Sequence, residues 1–68
     1  MSKGKVKYFN DRTGWGIIQT YETNQDVYVH HKSINMQGYR TLKEGQEVYC
    51  EISQTDQGPK AFNVTLVD

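Results

Sequence analysis

The chain has 68 residues and a formal net charge of zero, because eight basic side chains balance eight acidic ones. A chain this short has room for one domain, which we expect to span residues 1–68 and to be marginally stable. Its single cysteine, Cys50, excludes an internal disulfide, and no Cys/His spacing resembles a zinc site. No apolar run is long enough to cross a bilayer, and residues 1–4 lack the apolar stretch of a secretory signal. We therefore expect a cytoplasmic protein with no membrane partner, no small-molecule substrate and no metal or other cofactor.

Three strand patterns separated by turn residues occupy the first half of the chain. Residues 5–9 alternate and are followed by a turn cluster at residues 10–14. Residues 14–20 form a second strand with a glycine on each side of Trp15, which indicates a bulge, a bend or a close approach by another backbone or a ring. The third strand covers residues 26–31.

The connection over residues 32–44 is too irregular for a helix of ordinary length, although Ser33-Ile34 fits one short turn with Ile34 tucked inwards. After it, residues 47–52 alternate cleanly. We expect the alternate side chains of this fourth strand to face the core, namely Val48, Cys50 and Ile52.

A polar loop is predicted over residues 53–58, followed by a last strand over residues 60–67 with Pro59 at its start. Simple alternation groups Phe62 with Val64, whereas a bulge after Pro59 would turn this ring outwards, so alternation does not place it. Five short strands without a helical stretch predict an all-β barrel or sandwich.

The second and third strands carry the strongest functional signal. Because side chains alternate between the two faces of a strand, each of these strands has one aliphatic face and one face with rings. If the strands pair as a hairpin, the aliphatic side chains enter the core and the rings gather outside, where they indicate a ligand with flat faces. The side chains expected inwards are Ile18, Val27 and Val29, and those expected outwards are Trp15, Ile17, Tyr28 and His30.

The charges are unevenly distributed although they sum to zero. Basic residues precede and accompany the aromatic stretch, whereas acidic residues dominate later in the chain. This asymmetry, interleaved with rings, favours a dipolar surface over scattered solubilising charges.

Five motifs in order resemble those of bacterial cold shock proteins and cover nearly the whole chain. The aromatic stretches resemble the family's paired ribonucleoprotein motifs, Lys-Gly-Phe-Gly-Phe-Ile and Val-Phe-Val-His-Phe. Residues 4–10 are similar to Gly-x-Val-Lys-Trp-Phe-Asn, residues 42–48 to Leu-x-Glu-Gly-Gln-x-Val, and residues 58–64 to Gly-Pro-x-Ala-x-Asn-Val. The resemblance implies a small five-stranded antiparallel barrel of the oligonucleotide-binding (OB) type that binds single-stranded RNA and DNA on its aromatic face.

Several positions depart from the family pattern. Tyr8 replaces a tryptophan, and Trp15 and Tyr28 replace phenylalanines, so stacking capacity is rearranged but kept. Ile17 and His31 each replace a phenylalanine, which removes two rings and adds an imidazole. Thr13 stands at a usual lysine, and the neighbouring Arg12 is expected to supply that phosphate contact. These departures predict weaker or differently tuned binding than in a fully aromatic member.

The function that the resemblance implies is that of an RNA chaperone and regulator of transcription or translation with low sequence specificity. Spaced rings would stack on bases, and the surrounding cations would meet phosphates. Asp26 would either bind a base edge or form a local turn. The residues expected to contact nucleic acid are Lys5, Lys7, Tyr8, Phe9, Arg12, Trp15, Ile17, Asp26, Tyr28, His30, His31, Tyr39, Lys60 and Phe62.

Other interpretations of the same residues stay open at this point. Trp15 and Tyr28 would also fit a second buried face in a sandwich or an interface, which makes a small protein-binding barrel the alternative function. A metal site at His30 and His31 is disfavoured, because adjacent strand residues point to opposite faces and no third ligand accompanies them. No arrangement suggests an enzyme. A monomer is expected, and the long connection over residues 32–44 leaves a strand-exchanged dimer as the alternative.

Overall fold

The computed structural model describes residues 1–67 as a five-stranded barrel. The strands are β1 (Ser2–Asn10), β2 (Trp15–Thr20), β3 (Asp26–His30), β4 (Glu47–Thr55) and β5 (Gly58–Leu66), and one 3₁₀ turn, His31–Ser33, follows β3. The order around the closed barrel is β1-β2-β3-β5-β4. Neighbouring strands are antiparallel except at the closing seam, where Tyr28 of β3 and Lys60 of β5 pair in parallel. The predicted barrel is thus confirmed over the predicted sandwich, and no helix of residues 1–67 is long and apolar enough to span a membrane.

One cluster of small aliphatic side chains fills the barrel. Alternation along each strand supplies most of them, and two come from the connection between β3 and β4. The inward positions predicted for β2, β3 and β4 are confirmed, with Ile52 only partly buried at the margin of the cluster. The buried members are Val6, Ile18, Val27, Val29, Ile34, Leu42, Val48, Cys50, Ala61 and Val64.

The hairpin between β4 and β5 is longer than predicted, so the polar loop over residues 53–58 is wrong. Both strands continue to a tight turn in which only Asp56 and Gln57 lie between paired residues. The Thr55 hydroxyl closes this turn, donating to the Gly58 carbonyl (2.8 Å) and accepting from the Gln57 amide (3.2 Å). The side chains at these strand ends are polar because they face outwards, where strand residues need not be apolar. The sequence therefore looks like a loop there.

Phe62 points outwards, but the bulge that turns it is not after Pro59. The β4–β5 register gains one residue on β5 between Phe62 and Thr65. Asn63 lies in this interval with a positive φ of 51°, the left-handed conformation that asparagine tolerates better than most residues. The bulge leaves Phe62 exposed while Val64 stays in the core.

The end of β3 also differs from the expected strand over residues 26–31. The strand ends at His30, whose Nδ1 accepts a hydrogen bond from the Lys32 amide (3.4 Å) and caps the 3₁₀ turn. The turn therefore includes His31 and lies two residues earlier than the predicted Ser33-Ile34 turn. Ile34 is buried as expected, and it forms a bridge with Val64 of β5.

Candidate nucleic-acid interface

Three rings follow one another across the outside of β2 and the end of β3. Trp15 and His30 are direct partners in the β2–β3 register, and their ring centroids are 4.6 Å apart. The His31 ring continues this row with its centroid 4.3 Å from that of His30. Trp15 keeps 37% of its surface exposed. These three side chains are called the ring row below.

His31 lies beside His30 and not on the opposite face, which corrects the prediction from alternation. Because β3 ends at His30, the two-residue period no longer applies to the next side chain. The His31 amide donates to the Gly14 carbonyl (2.8 Å). Its ring occupies the space that a side chain at Gly14 would need, since a Cβ there would lie 2.4 Å from His31 Cδ2. Gly14 also has a φ of +77°, so glycine is suited to this position for two reasons.

A second line of side chains crosses the same face beside the ring row. Tyr8 on β1 pairs with Ile17 on β2, which in turn pairs with Tyr28 on β3. The two tyrosines are each about half exposed, and Ile17 between them is partly buried. Tyr8, Ile17 and Tyr28 together with the ring row are called the aromatic face below.

Phe9 lies closer to the core than the other predicted contacts. It pairs with Gly16 on β2 and packs against the core cluster. A Cβ at Gly16 would lie 2.6 Å from Phe9 Cδ1 and 2.5 Å from the Tyr8 carbonyl oxygen. The close approach by a ring and a backbone that the glycines beside Trp15 suggested is therefore present at Gly16.

Asn10 connects the aromatic face to the β1–β2 loop, and of its contacts only the turn was predicted from the sequence. Its Oδ1 accepts from the amides of Arg12 (2.9 Å) and Thr13 (3.3 Å), which shapes the turn. Its Nδ2 donates to the hydroxyl of Tyr8 (3.3 Å). The phenol at this position, where the family pattern has tryptophan, makes this contact to the loop available.

Lys60 is the cation most intimately associated with the rings. Its pairing with Tyr28 at the closing seam brings the Lys60 ammonium to 4.7 Å from the centroid of Trp15, within the range of a cation–π interaction. In contrast, the Lys7 ammonium lies 3.2 Å from a carboxylate oxygen of Asp26 in an exposed ion pair. Such a pair has little net energy, so Lys7 can turn to another anion without a large penalty.

The remaining predicted contacts are more dispersed. Lys5 lies towards the other end of β1, where it pairs with Gln19 and Glu47. Phe62 is exposed on β5, and no aromatic pair in the described chain includes it. Tyr39, in the β3–β4 connection, keeps 70% of its surface exposed and lies near Arg12 and His31.

Two of the surface depressions at this face each contain a residue that sequence reasoning missed. The smaller, of about 390 Å³, is lined by Trp15, Tyr28 and Gln57 from the β4–β5 turn. The larger, of about 560 Å³, lies between the β1–β2 loop and the β3–β4 connection and adds Arg40 to the predicted Arg12, His31 and Tyr39. Arg40 stands directly after an expected contact, but its irregular connection gave no periodicity from which to orient it.

The imidazole of His30 is less basic than an ordinary histidine. Desolvation within the cluster of rings is the main cause that lowers the pKa of His30, and the positive charges of His31, Lys32 and Lys60 lower it further. His30 is therefore neutral at pH 7. A neutral imidazole can stack on a base and offer both a donor and an acceptor nitrogen. Within residues 1–67, no group of three His, Cys, Asp or Glu side chains could hold a metal ion.

Comparison with known proteins agrees with the resemblance seen in the motifs. The family model described as the 'Cold-shock' DNA-binding domain matches residues 2–67. Cold shock protein CspB of Bacillus caldolyticus is 50% identical over 64 residues, covering 94% of this chain and 96% of that protein. Cold shock-like protein CspA of Stigmatella aurantiaca is 47% identical over 67 residues, covering 98% of each.

A solved structure, drosophila Unr CSD456, is similar in fold with a TM-score of 0.81 at 13% identity. The match covers 98% of this chain and 26% of that one. At this level of identity the likeness concerns the fold, and it is consistent with a barrel of the OB type. The chain thus belongs to the 'Cold-shock' DNA-binding domain family, whose members bind nucleic acid and are not enzymes.

Proposed function

We propose that this protein binds single-stranded RNA and DNA by stacking bases on the aromatic face, with low sequence specificity. The ring row with Lys60 over Trp15 is the observation that carries the proposal. Every base has a π-face, so a row of solvent-accessible rings accepts any sequence, and each stacked base contributes about 1–3 kcal/mol. Tyr8 and Tyr28 extend the row sideways and provide room for further bases.

The phosphates would be met by a small set of cations around these rings. Lys60 and Lys7 border the aromatic face, and Arg12 lies in the adjoining loop. Each phosphate neutralised on a single strand contributes about −0.7 to the slope of log affinity against log salt. With so few cations and a net charge of zero, the slope should be shallow, and stacking should supply most of the affinity.

Binding of this kind would make the protein an RNA chaperone. A protein that binds only unpaired strands shifts the equilibrium of weak duplexes towards the open form by mass action and needs no nucleotide hydrolysis. We infer that the chain acts as one domain in the cytoplasm, on messenger RNA structure and on transcription or translation during cold or other stress. The proposed contacts are the fourteen predicted residues, and the structure supports adding Arg40 and Gln57.

A titration at two salt concentrations tests the proposal. Trp15 is the only tryptophan, so its fluorescence reports the aromatic face directly. Adding oligothymidine or oligouridine should quench it at micromolar strand, with little loss of affinity at the higher salt. A double-stranded oligonucleotide of the same length is the control and should quench far less.

Absence of quenching at micromolar single strand would overturn the proposal. That outcome would favour the alternative in which the exposed rings form a binding site for another protein.

A further inference from the structure

The larger depression concentrates positive charge in a protein with no net charge. Arg12 projects from the β1–β2 loop and Arg40 from the β3–β4 connection, and both side chains are exposed. The only ion pair among residues 1–67 joins Lys7 to Asp26, so neither arginine has a carboxylate partner there. Two guanidinium groups on facing walls leave strong donors available to a ligand.

The walls of the depression are joined by a hydrogen bond at their margin. The Thr41 hydroxyl donates to Asp11 Oδ1, which links the β3–β4 connection to the β1–β2 loop. Asp11 is the one acidic side chain in the lining, and this bond engages one of its carboxylate oxygens. The two arginines are therefore held on loops that are attached to each other as well as to the barrel.

His31 belongs to the depression and also to the ring row. A strand stacked along Trp15 and His30 therefore has the depression directly beyond its last ring. Tyr39, on the far wall, offers one more exposed ring there. The aromatic face thus ends beside this positively charged depression.

The number of hydrogen-bond donors in the depression suits a terminal phosphate better than a phosphodiester within a strand. A phosphodiester within a strand has a single charge and two free oxygens, which one guanidinium fork satisfies. A terminal phosphate has three free oxygens and roughly twice the charge at neutral pH. Two forks supply enough N–H groups for all three oxygens.

We propose that the depression between Arg12 and Arg40 binds the terminal phosphate of a strand whose bases stack along the ring row. This inference rests on the proposed function and adds to it a preference for strand ends. The protein would then distinguish phosphorylated ends, such as those left by strand cleavage, from ends that carry only a hydroxyl.

The test uses three oligothymidines of equal length that carry a 5′-phosphate, a 3′-phosphate or no terminal phosphate. We expect one of the two phosphorylated strands to bind about fivefold or more tightly than the unphosphorylated strand, because hydrogen bonds to charged groups are the stronger kind. Arg40→Gln should abolish this gain, so that this variant binds the phosphorylated and unphosphorylated strands with about equal affinity. Quenching of Trp15 measures each affinity.

Lys3→Gln is the matched control for the loss of one charge. Lys3 lies near the start of β1, at the end opposite the β1–β2 loop, and its ammonium is 6.0 Å from the centroid of the Tyr49 ring, away from the depression. This variant should keep the full gain from a terminal phosphate. Equal affinity for all three strands, or an equal loss of the gain in Arg40→Gln and Lys3→Gln, would overturn the inference. If the unphosphorylated strand does not bind at all, the proposed function itself fails.

A free mononucleotide distinguishes a strand end from a small molecule as the source of the phosphate. Thymidine monophosphate has the same terminal group but only one base, so it should bind at least about a hundredfold more weakly than the phosphorylated strand, because each further stacked base adds to the affinity. Comparable affinities would overturn the assignment to strand ends and indicate a nucleotide site.

Discussion

Individual side chains of the aromatic face differ in what they offer a base. Ile17 lies between two tyrosines as the one aliphatic member of its line, while His31 ends the ring row as an imidazole. Both positions are phenylalanine in the motif that the chain resembles. The effect of these differences on affinity can be measured one residue at a time.

Replacing Ile17 with Phe should tighten binding of oligothymidine about fivefold or more, since a further base stack contributes about 1–3 kcal/mol. Ile17→Leu, which adds no ring, is the control and should leave affinity unchanged.

His31→Phe should also tighten binding, because the ring of His31 lies on the same side as that of His30. Fluorescence anisotropy of a labelled strand measures all three, and no gain from either phenylalanine would show that neither position faces the ligand.

The lowered pKa of His30 determines where binding should depend on pH. In the free protein the imidazole is neutral at pH 7, whereas a nearby phosphate favours its protonated form, so binding takes up a proton as the pH falls. Affinity should therefore rise as the pH falls from neutral, because this imidazole takes up a proton more readily in the complex than in the free protein.

A His30→Gln variant should show a smaller rise in affinity between pH 7.5 and 5.5 than the wild type. Isothermal titration over this range measures it. An affinity of the wild type that stays constant throughout would count against any phosphate contact by this imidazole.

At the scale of elements, the β1–β2 loop holds the ring row in place through one glycine. Gly14 accepts a hydrogen bond from His31 at its carbonyl and leaves the space that the imidazole occupies. Gly38, in the β3–β4 connection, has the same φ of +77° but no heavy atom within 4 Å of where its Cβ would lie. The two glycines therefore separate backbone strain from steric conflict.

Gly14→Ala should destabilise the barrel more than Gly38→Ala does. Strain at a positive φ costs about 1 kcal/mol or more at each position, and the 2.4 Å contact with His31 Cδ2 adds to it only at Gly14. Gly14→Ala should also weaken strand binding, since His31 must move. Urea denaturation measures the first effect and anisotropy the second, and equal destabilisation by the two variants would contradict the proposed steric conflict.

The strands could be predicted from the sequence wherever apolar and polar side chains alternate with a period of two residues. Where this alternation ends, the prediction fails. Val27 and Val29 alternate with Tyr28 and so revealed both faces of β3. The bulge at Asn63 and the turn that begins at His31 are decided by backbone conformation and tertiary pairing, which leave no period in the sequence.

The candidate site was predictable to the same extent as the strands that carry it. Its rings come from alternating strands, and motif resemblance identified most of them. Arg40 reaches the site from a connection and Gln57 from a turn, and only the folded barrel brings Arg40 near Arg12 and Gln57 near Trp15. Asn10 lies in the predicted turn cluster, but its hydrogen bond to the hydroxyl of Tyr8 joins two side chains and leaves no pattern in the sequence.

At the scale of the whole molecule, the barrel closes through a short seam. One parallel pair, Tyr28 with Lys60, joins β3 to β5, and the Asn35 amide adds a hydrogen bond to the Val64 carbonyl (2.8 Å). The long connection from Ile34 to β4 is anchored in the core by Leu42. Exchange of the β4–β5 hairpin between two copies would need this seam and the β1–β4 pairing to open, together with the hydrogen bond from the Tyr21 hydroxyl to the Glu47 carboxylate.

The length of the connection should decide between closed monomer and exchanged dimer. We expect the wild type to be a monomer at micromolar concentration, because the connection is long enough for β4 to return to its own barrel. Deleting the exposed Gln37 and Gly38 shortens it and should produce dimer. Inserting Gly-Ser at the same place is the control and should leave a monomer. Light scattering after size-exclusion chromatography measures this, and a deletion variant that stays monomeric would contradict the role of the connection.

Cys50 is completely buried within β4, so its reaction with a thiol reagent can report when the barrel opens. Burial raises the pKa of this thiol, so in the closed barrel it is both inaccessible and protonated, and a thiol reagent can reach it only when the strands separate. The rate of labelling then measures how often the barrel opens at this site, and the measurement requires no substitution. A bound nucleic-acid strand favours the closed barrel, so the labelling rate of Cys50 should fall as the fraction of protein with bound strand increases.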